Sequence, residues 1–183
     1  MNTDYQKIID KYYPATEKLR DIYMSHCRSV ANEALAIADR LNLPLDRAMI
    51  DGAAMTHDIG IFATDAPGIE CHGTEPYIRH GLIGAELLRK EGVPEEWARV
   101  AERHTGSGLT RKDIEQQHLP LPPGDYCPLT LLEKLICYAD KFYSKSGSPE
   151  RKSLDAVRRG MARFGADSLE RFEQLHAIFQ IPS

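Results

Sequence analysis

The amino-acid sequence predicts an all-α protein, and three observations support this. Over most of the 183 residues, apolar side chains recur about every 3.6 positions, which is the period of an α-helix. No stretch combines the two-residue alternation of a strand with turn residues at both ends. Proline and glycine lie mainly between the periodic stretches, where they end one helix and open the next. We therefore expect a single helical domain over residues 1–183.

The first two predicted helices bring together candidate ligands for a metal ion. A long helix over about residues 15–41 carries His26 on its apolar stripe, so this imidazole faces inward. A second helix over about residues 45–57 is rich in small residues and ends in a glycine. His57 and Asp58 lie at its carboxyl end.

The next two predicted helices each supply one more histidine. An irregular loop over residues 61–76, with Pro-Gly as a turn signal, separates them from the first pair and has the length of a lid. The third helix, about residues 77–90, places His80 in its first turn. The fourth, about residues 94–103, ends just before His104.

The last part of the chain is predicted to hold a short helix, a proline-rich connector and three further helices. The helix over residues 129–143 is strongly apolar and bears Asp140, and a buried carboxylate without a partner is costly. Two amphipathic helices over about residues 149–164 and 167–179 complete the chain. Their apolar stripe is assigned to the core or to the surface of a homodimer.

Composition narrows the range of functions. The net charge of −4 disfavours a nucleic-acid-binding surface but leaves small anionic substrates open. The four cysteines show no Cys-x-x-Cys spacing, so we expect reduced thiols and no zinc knuckle. No apolar run has the length of a membrane span and the amino terminus lacks the layout of a signal peptide, which predicts a cytoplasmic protein without a membrane partner.

Six side chains form the predicted metal set: His26, His57, Asp58, His80, His104 and Asp140. Imidazole and carboxylate together suit divalent transition metals, and we expect iron, with manganese, zinc, nickel or cobalt as alternatives. Six ligands exceed the need of one ion. We therefore predict two ions, bridged by the two oxygens of Asp58, which is also the predicted catalytic residue. The first ion takes His26, His57 and Asp140, and the second takes His80 and His104.

The run His57-Asp58-Ile59-Gly60, preceded by His26 and followed by His80, His104 and Asp140, resembles the HD-domain superfamily of metal-dependent phosphohydrolases. The similarity covers about residues 22–144, with the last two helices packed on that core. It implies a helical bundle, metal binding by the four-residue set of His26, His57, Asp58 and Asp140, and phosphomonoesterase or phosphodiesterase activity.

The surroundings of the second pair of histidines narrow the resemblance. His80 in Ile78-Arg79-His80-Gly81 and His104 in Glu102-Arg103-His104-Thr105-Gly106 are similar to the bacterial symmetrical diadenosine tetraphosphatase branch. They are also similar to small archaeal and bacterial HDIG-type proteins. The Gly-Tyr-Pro signature of cyclic-dinucleotide phosphodiesterases is absent, which disfavours that activity.

One departure from the family concerns the cation that binds substrate phosphate. Many two-metal members carry a lysine soon after His-Asp, but this chain continues Ile59-Gly60-Ile61-Phe62. Other residues must therefore contact the phosphate. Our candidates are Arg28, Thr105, Lys141 and Lys145, together with Ser107.

The function predicted from these residues is hydrolysis of a nucleotide or another small phosphorylated metabolite. An alternative is a di-iron oxygenase of a polyol-like substrate, because a related set of four histidines and two aspartates serves that reaction within the superfamily. A second alternative is a metal-containing ligand-binding module without turnover, which the missing lysine favours. In a one-metal enzyme, His80 and His104 would contact substrate instead, and His72 in the loop is a candidate lid residue or proton donor.

Overall fold

The computed structural model describes residues 4–147 and 150–180, and within these ranges the chain is a helical bundle. Nine α-helices follow one another in the described residues. Their bounds are α1 Tyr5–Tyr12, α2 Lys18–Arg40, α3 Arg47–Thr56, α4 His80–Lys90, α5 Glu95–Arg103, α6 Arg111–Gln116, α7 Leu131–Asp140, α8 Leu154–Ala162 and α9 Ala166–Phe179. The all-α prediction is confirmed.

The loop between α3 and α4 contains secondary structure that the sequence did not predict. Strands β1, Asp65–Ala66, and β2, Cys71–His72, form an antiparallel pair. Three short 3-10 turns surround them, at Ile61–Ala63, Pro67–Ile69 and Tyr77–Arg79. The sequence shows no sign of this pair, because a two-residue strand is too short to show an alternating pattern.

Helix α1 is also absent from the sequence prediction. The side chain of Asp4 accepts a hydrogen bond from the backbone N–H of Gln6 at its start, and Ile8 and Ile9 are buried against the core. The helix is only eight residues long. Such a short segment depends on tertiary packing for its stability.

Other helix ends differ from prediction by a few residues, for reasons visible in their caps. Helix α7 begins after Thr130, whose hydroxyl oxygen accepts from the N–H of Glu133 in a capping box, rather than at Leu129. Helix α8 begins after Ser153, whose side chain accepts from Ala156. The predicted start of this helix at residue 149 lies outside the described residues.

The core is built around α2, α3, α4, α5 and α7. Helix α2 packs against α3 and α7, α3 and α7 also contact α5, and α4 packs along α5. Helices α8 and α9 pack on each other, and α9 also contacts α7. Of the C-terminal apolar stripe, Phe172, Leu175 and Phe179 are buried, whereas Phe164 and Ile178 are exposed. None of the described helices is long and apolar enough to cross a membrane.

Candidate metal centre

The structure brings all six predicted ligands into one buried cluster. His26 lies in the middle of α2, His57 and Asp58 directly follow α3, His80 opens α4, His104 directly follows α5, and Asp140 ends α7. Each of the six is 8% exposed or less. Five helices therefore each contribute to one polar cluster inside an otherwise apolar core.

Four of these residues form a first group of possible ligands: His26, His57, Asp58 and Asp140. The Nε2 atoms of His26 and His57 each lie 3.1 Å from Oδ2 of Asp58. They lie 3.0 and 3.5 Å from Oδ1 of Asp140. Ligand bonds of about 2.1 Å give separations of about 3.0–3.5 Å between neighbouring donor atoms, so this spacing suits one ion.

Asp58, His80 and His104 form a second group that could hold an ion. The Nε2 atoms of His80 and His104 lie 3.4 and 3.3 Å from Oδ1 of Asp58, and 3.1 Å from each other. The two oxygens of Asp58 thus face different groups. A carboxylate placed in this way can bridge two ions.

Three of the histidines are oriented by the same local contact. The ring Nδ1 of His57 donates to the backbone carbonyl of Ala54 at 2.6 Å, three residues earlier in the chain. His80 and His104 use the carbonyls of Tyr77 at 2.7 Å and Ala101 at 2.8 Å. A proton on Nδ1 leaves the lone pair on Nε2, which is the tautomer that binds a metal ion.

The donor atoms that face the cluster support metal binding. Within the described residues, both ring nitrogens of His26, Nε2 of His57 and both carboxylate oxygens of Asp58 are buried without a hydrogen bond of good geometry. Buried polar atoms are nearly always satisfied in folded proteins. Imidazole nitrogens and carboxylate oxygens are also the ligands that divalent transition metals prefer, so the residues present fit the metal that the sequence predicts.

The charges in the cluster also favour cations. Burial acts to raise the pKa of Asp58, but Lys145 and His57 outweigh it and hold this pKa well below the usual range. Burial lowers the pKa of His80 to about 3, which keeps its ring neutral. Burial also opposes protonation of His57, yet the adjacent Asp58 raises the pKa of His57 well above its usual value. Because a metal ion displaces such a proton, binding at His57 depends on pH.

The glycine of the His57-Asp58-Ile59-Gly60 run is required by close packing. A Cβ atom at Gly60 would lie 2.3 Å from the backbone oxygen of His80 and 2.5 Å from the backbone nitrogen of Gly84. Both contacts are with backbone, which cannot move aside. Gly60 therefore lets the turn after Asp58 approach the first turn of α4, which brings the two ligand groups together.

Two buried tyrosines support the same turn, and the sequence prediction missed them. Tyr23 donates to the backbone oxygen of Met55 at 2.6 Å, and Tyr13 donates to that of Ile59 at 2.9 Å. Their rings stack with centroids 4.1 Å apart. Carbonyls at the end of α3 have no helical partner, so the two hydroxyls supply one.

Lys141 and Lys145 meet the cluster from the segment that follows α7. Lys141 donates to Oδ2 of Asp140 at 2.7 Å and to the backbone oxygen of His104 at 3.1 Å. The ammonium group of Lys145 lies 2.6 Å from Oδ2 of Asp58. Lys145 thus places a cation near the ligands, although no lysine follows His57-Asp58 in sequence.

The structure does not bring Arg28 to this cluster. Its guanidinium donates to Asp51 at 2.7 Å and to Tyr5 at 3.1 Å, on the side of α2 that packs near α1 and α3. Arg28 follows His26 by two positions, and residues two apart on a helix face different directions. His72 likewise lies apart, exposed and 3.7 Å from Glu70.

A cavity of about 670 Å³ opens beside the ligands. His80, His104, Asp140, Lys141 and Lys145 line one part of it, together with Thr105 and two residues that sequence reasoning missed, Lys152 and Tyr77. The predicted contact Ser107 is buried, and its hydroxyl donates to the backbone oxygen of Ser168 at 2.7 Å. Lys152 follows α7 by twelve residues, so only the return of the chain from α7 to α8 brings it to the cavity.

Comparison with known proteins extends these observations. A family model described as "HD domain" matches residues 23–144. Over 145 residues the chain is 38% identical to an uncharacterized protein of Methanocaldococcus jannaschii. This match covers 78% of this chain and 77% of that protein. Over 129 residues it is 35% identical to the tRNA (cytidine(56)-2'-O)-methyltransferase of Picrophilus torridus, covering 70% of this chain. That match spans only 33% of the methyltransferase.

Two crystal structures share the fold. Both contain the HD domain of the L. monocytogenes phosphodiesterase PgpH, one of them in complex with cyclic-di-AMP. They match with TM-scores of 0.52 and 0.53 at 17% and 16% sequence identity. The matches cover 94% and 97% of this chain and 95% and 97% of theirs.

Proposed function

This chain belongs to the HD domain family, and from that premise we propose that it is a metal-dependent phosphohydrolase of a nucleotide or another small phosphorylated metabolite. The observation that best supports the proposal is that the two oxygens of the Asp58 carboxylate face different pairs of histidines. One oxygen faces His26 and His57 and the other faces His80 and His104, beside a cavity lined by lysines.

We expect two metal ions, with iron as the metal, and Asp58 would serve as a ligand to both. Divalent ions held here would lower the pKa of water and offset negative charge on phosphoryl oxygens. The chain's own residues prepare the site for them. Asp58 and Asp140 stay ionised because nearby cations hold both pKa values well below the usual range against the opposing effect of burial.

The lysines are the groups that we expect to bind phosphate. Lys145 contacts Asp58, so an ester held against the ligands lies within reach of its ammonium group. Lys141 is held by Asp140 and by the backbone oxygen of His104, and it lines the same cavity as Lys152. Thr105 adds a hydroxyl at the start of the glycine-rich turn. These cations replace the lysine that is absent after His57-Asp58.

The two alternative functions receive less support from the same residues. A polyol-like substrate of an oxygenase carries no charge that would require three lysines at one cavity, whereas a phosphate ester does. The missing lysine favoured a module without turnover. Lys145 reaches the candidate ligands from another segment, so the site does not lack a cation for phosphate.

The test combines metal content with hydrolysis. We expect about two transition-metal ions per chain by mass spectrometry after anaerobic purification without chelator. The metal-loaded protein should release phosphate or nitrophenol from one of a panel of nucleotides, dinucleotide polyphosphates, p-nitrophenyl phosphate and bis(p-nitrophenyl) phosphate. Asp58→Asn should lose metal and lower turnover by about 1,000-fold, because its oxygens face both ligand groups.

Asp51→Asn is the matched control, since Asp51 lies on α3 but pairs with Arg28 and Tyr5 outside the cavity. It should keep metal and turnover. Full turnover in Asp58→Asn would contradict the assignment. Oxygen consumption by the reduced iron protein, with no ester cleaved, would favour the oxygenase, and tight binding of phosphorylated ligands without product would favour the binding module.

A further inference from the structure

We propose that the cavity contains a subsite for an aromatic ring of the substrate, with Phe164 as the side chain on which that ring packs. This inference rests on the proposed function and names the chemical class of its substrate: a phosphate ester or anhydride that carries a planar aromatic group, such as a nucleobase. Phe164 lies outside residues 23–144, the part of the chain that matches the family model.

The position of Phe164 is unusual for a large apolar side chain. It lies in the turn between α8 and α9 and is 60% exposed, yet it lines the same cavity as the ligand histidines. In the described residues only two other large apolar side chains, Leu129 and Ile178, are similarly exposed, and neither lines that cavity. When a ligand covers an exposed aromatic ring at the wall of a cavity, apolar surface is removed from water, which favours binding.

The surroundings of Phe164 extend this apolar wall. Leu109 and Leu119, which flank α6, and Met161 of α8 line the cavity together with it. The leucines are only half-buried. The lysines lie in a different segment, between α7 and α8. The cavity therefore combines a cationic part with an apolar part, which suits a ligand that carries both a phosphate and a ring.

Hydrogen bonds hold this wall in a fixed relation to the metal ligands. Arg171 of α9 donates to the backbone oxygen of Gly108 at 3.2 Å and to Oδ2 of Asp113 at 2.8 Å. Ser107 donates to the backbone oxygen of Ser168. The contacts at Gly108 and Ser107 join the first half of α9 to the turn that follows His104, and the contact at Asp113 joins it to α6. The ring subsite is thus anchored to the same loop as a ligand histidine.

The volume of the cavity agrees with this substrate class. About 670 Å³ is far more than a phosphate group needs and falls in the range of sites for whole small molecules. Stacking of a base on an aromatic side chain tolerates different bases, because every base has a π-face. We therefore expect the cavity to bind phosphates that carry an aromatic ring more tightly than phosphates without one. It should discriminate only weakly among different rings.

The experiment compares ring-bearing and ring-free phosphates in Phe164→Ala. For adenosine monophosphate, calorimetry with the metal-loaded protein should show affinity lowered about tenfold, as expected for loss of one stacked base. For glycerol phosphate, affinity should change less than about twofold. Phe164→Trp keeps a π-face and should restore binding of adenosine monophosphate.

Ile178→Ala is the matched control, because Ile178 is an exposed apolar residue of α9 that does not line the cavity. It should bind both ligands as the parent protein does. Equal affinity of Phe164→Ala and the parent for adenosine monophosphate, or an equal loss for both ligands, would overturn the subsite.

Failure of the subsite and failure of the proposed function give different results. If esters are hydrolysed but Phe164→Ala binds adenosine monophosphate normally, the subsite is wrong and the phosphohydrolase stands. If no ester is cleaved but the affinity for adenosine monophosphate still falls selectively, the subsite stands and the proposed reaction is wrong. If the parent protein binds no adenosine monophosphate, the subsite is wrong whatever the outcome for hydrolysis.

Discussion

The two parts of the cavity differ in how their residues are held. At the metal part, each of the six candidate ligands is 8% exposed or less, and each lies within the range that matches the family model. At the apolar wall, Phe164 is 60% exposed and stands in a turn beyond that range. The arrangement of the candidate ligands depends on packing from five helices, whereas Phe164 depends on the single turn between α8 and α9.

Because of this difference, the two parts should tolerate amino-acid substitutions to different degrees. A substitution in the buried cluster leaves an unpaired charge or an unfilled space, and either is costly. A substitution on an exposed turn alters contacts with a ligand at little cost in stability. We therefore expect the metal part to determine whether a reaction occurs and the wall to determine which substrate enters.

The strongest test of this contrast is to remove one ligand from the second group. His104→Ala should lower metal content from about two ions per chain to about one, and turnover by about 100-fold, because one ion loses a ligand that no neighbour replaces. Mass spectrometry and a phosphate-release assay measure the two effects. His72→Ala, an exposed histidine outside the cluster, serves as control.

A result of one ion in both the parent protein and His104→Ala would contradict the two-metal site. His80 and His104 would then be residues that contact substrate. The metal part and the apolar wall would still differ, but His80 and His104 would then contribute to substrate selectivity rather than to metal binding.

A second test asks whether Lys145 acts on substrate or only balances the charge of Asp58. Lys145→Met should lower kcat/KM for phosphate esters by about 10–100-fold, because a charge-assisted contact to phosphate is lost. Metal content should stay unchanged. Lys112→Met is the control, since Lys112 is exposed and pairs with Asp167 at the surface. Unchanged kcat/KM in Lys145→Met would leave phosphate binding to Lys141 and Lys152.

A smaller effect is expected from Tyr13, which contacts the turn after α3. Tyr13→Phe keeps the buried ring but removes the hydroxyl that donates to Ile59, so affinity for metal should fall by about 5–10-fold. Titration against a competing chelator measures this affinity for metal. Tyr12→Phe is matched, because the Tyr12 hydroxyl contacts Glu91 outside the cluster. Equal affinity in both variants would show that Tyr13 acts only on stability.

The smallest effect is predicted for Arg28, which the sequence placed at the phosphate and the structure places beside Asp51. Arg28→Met should change KM by less than about twofold. Its partly exposed ion pair contributes at most about 1 kcal/mol to the free energy of unfolding. A tenfold rise in KM would show that Arg28 reaches substrate after all.

Much of the candidate site could be predicted from local sequence. The helical period placed His26 inward, and the positions of His57, His80 and His104 at helix ends were correct to within a residue or two. Each of these three rings is oriented by a carbonyl only three residues away. Interactions over such short separations depend on backbone geometry that a helix sets by itself.

The helical class and the family therefore follow from the sequence, and so do the six candidate ligands. How the helices pack sets which cation reaches these candidates, why Arg28 does not, and where the apolar wall lies. Lys145, Tyr13 and Phe164 belong to segments separated from the His57-Asp58 pair by at least 44 residues. The physical reason is that periodicity defines the face of one helix, whereas contacts between distant segments depend on how the helices pack together.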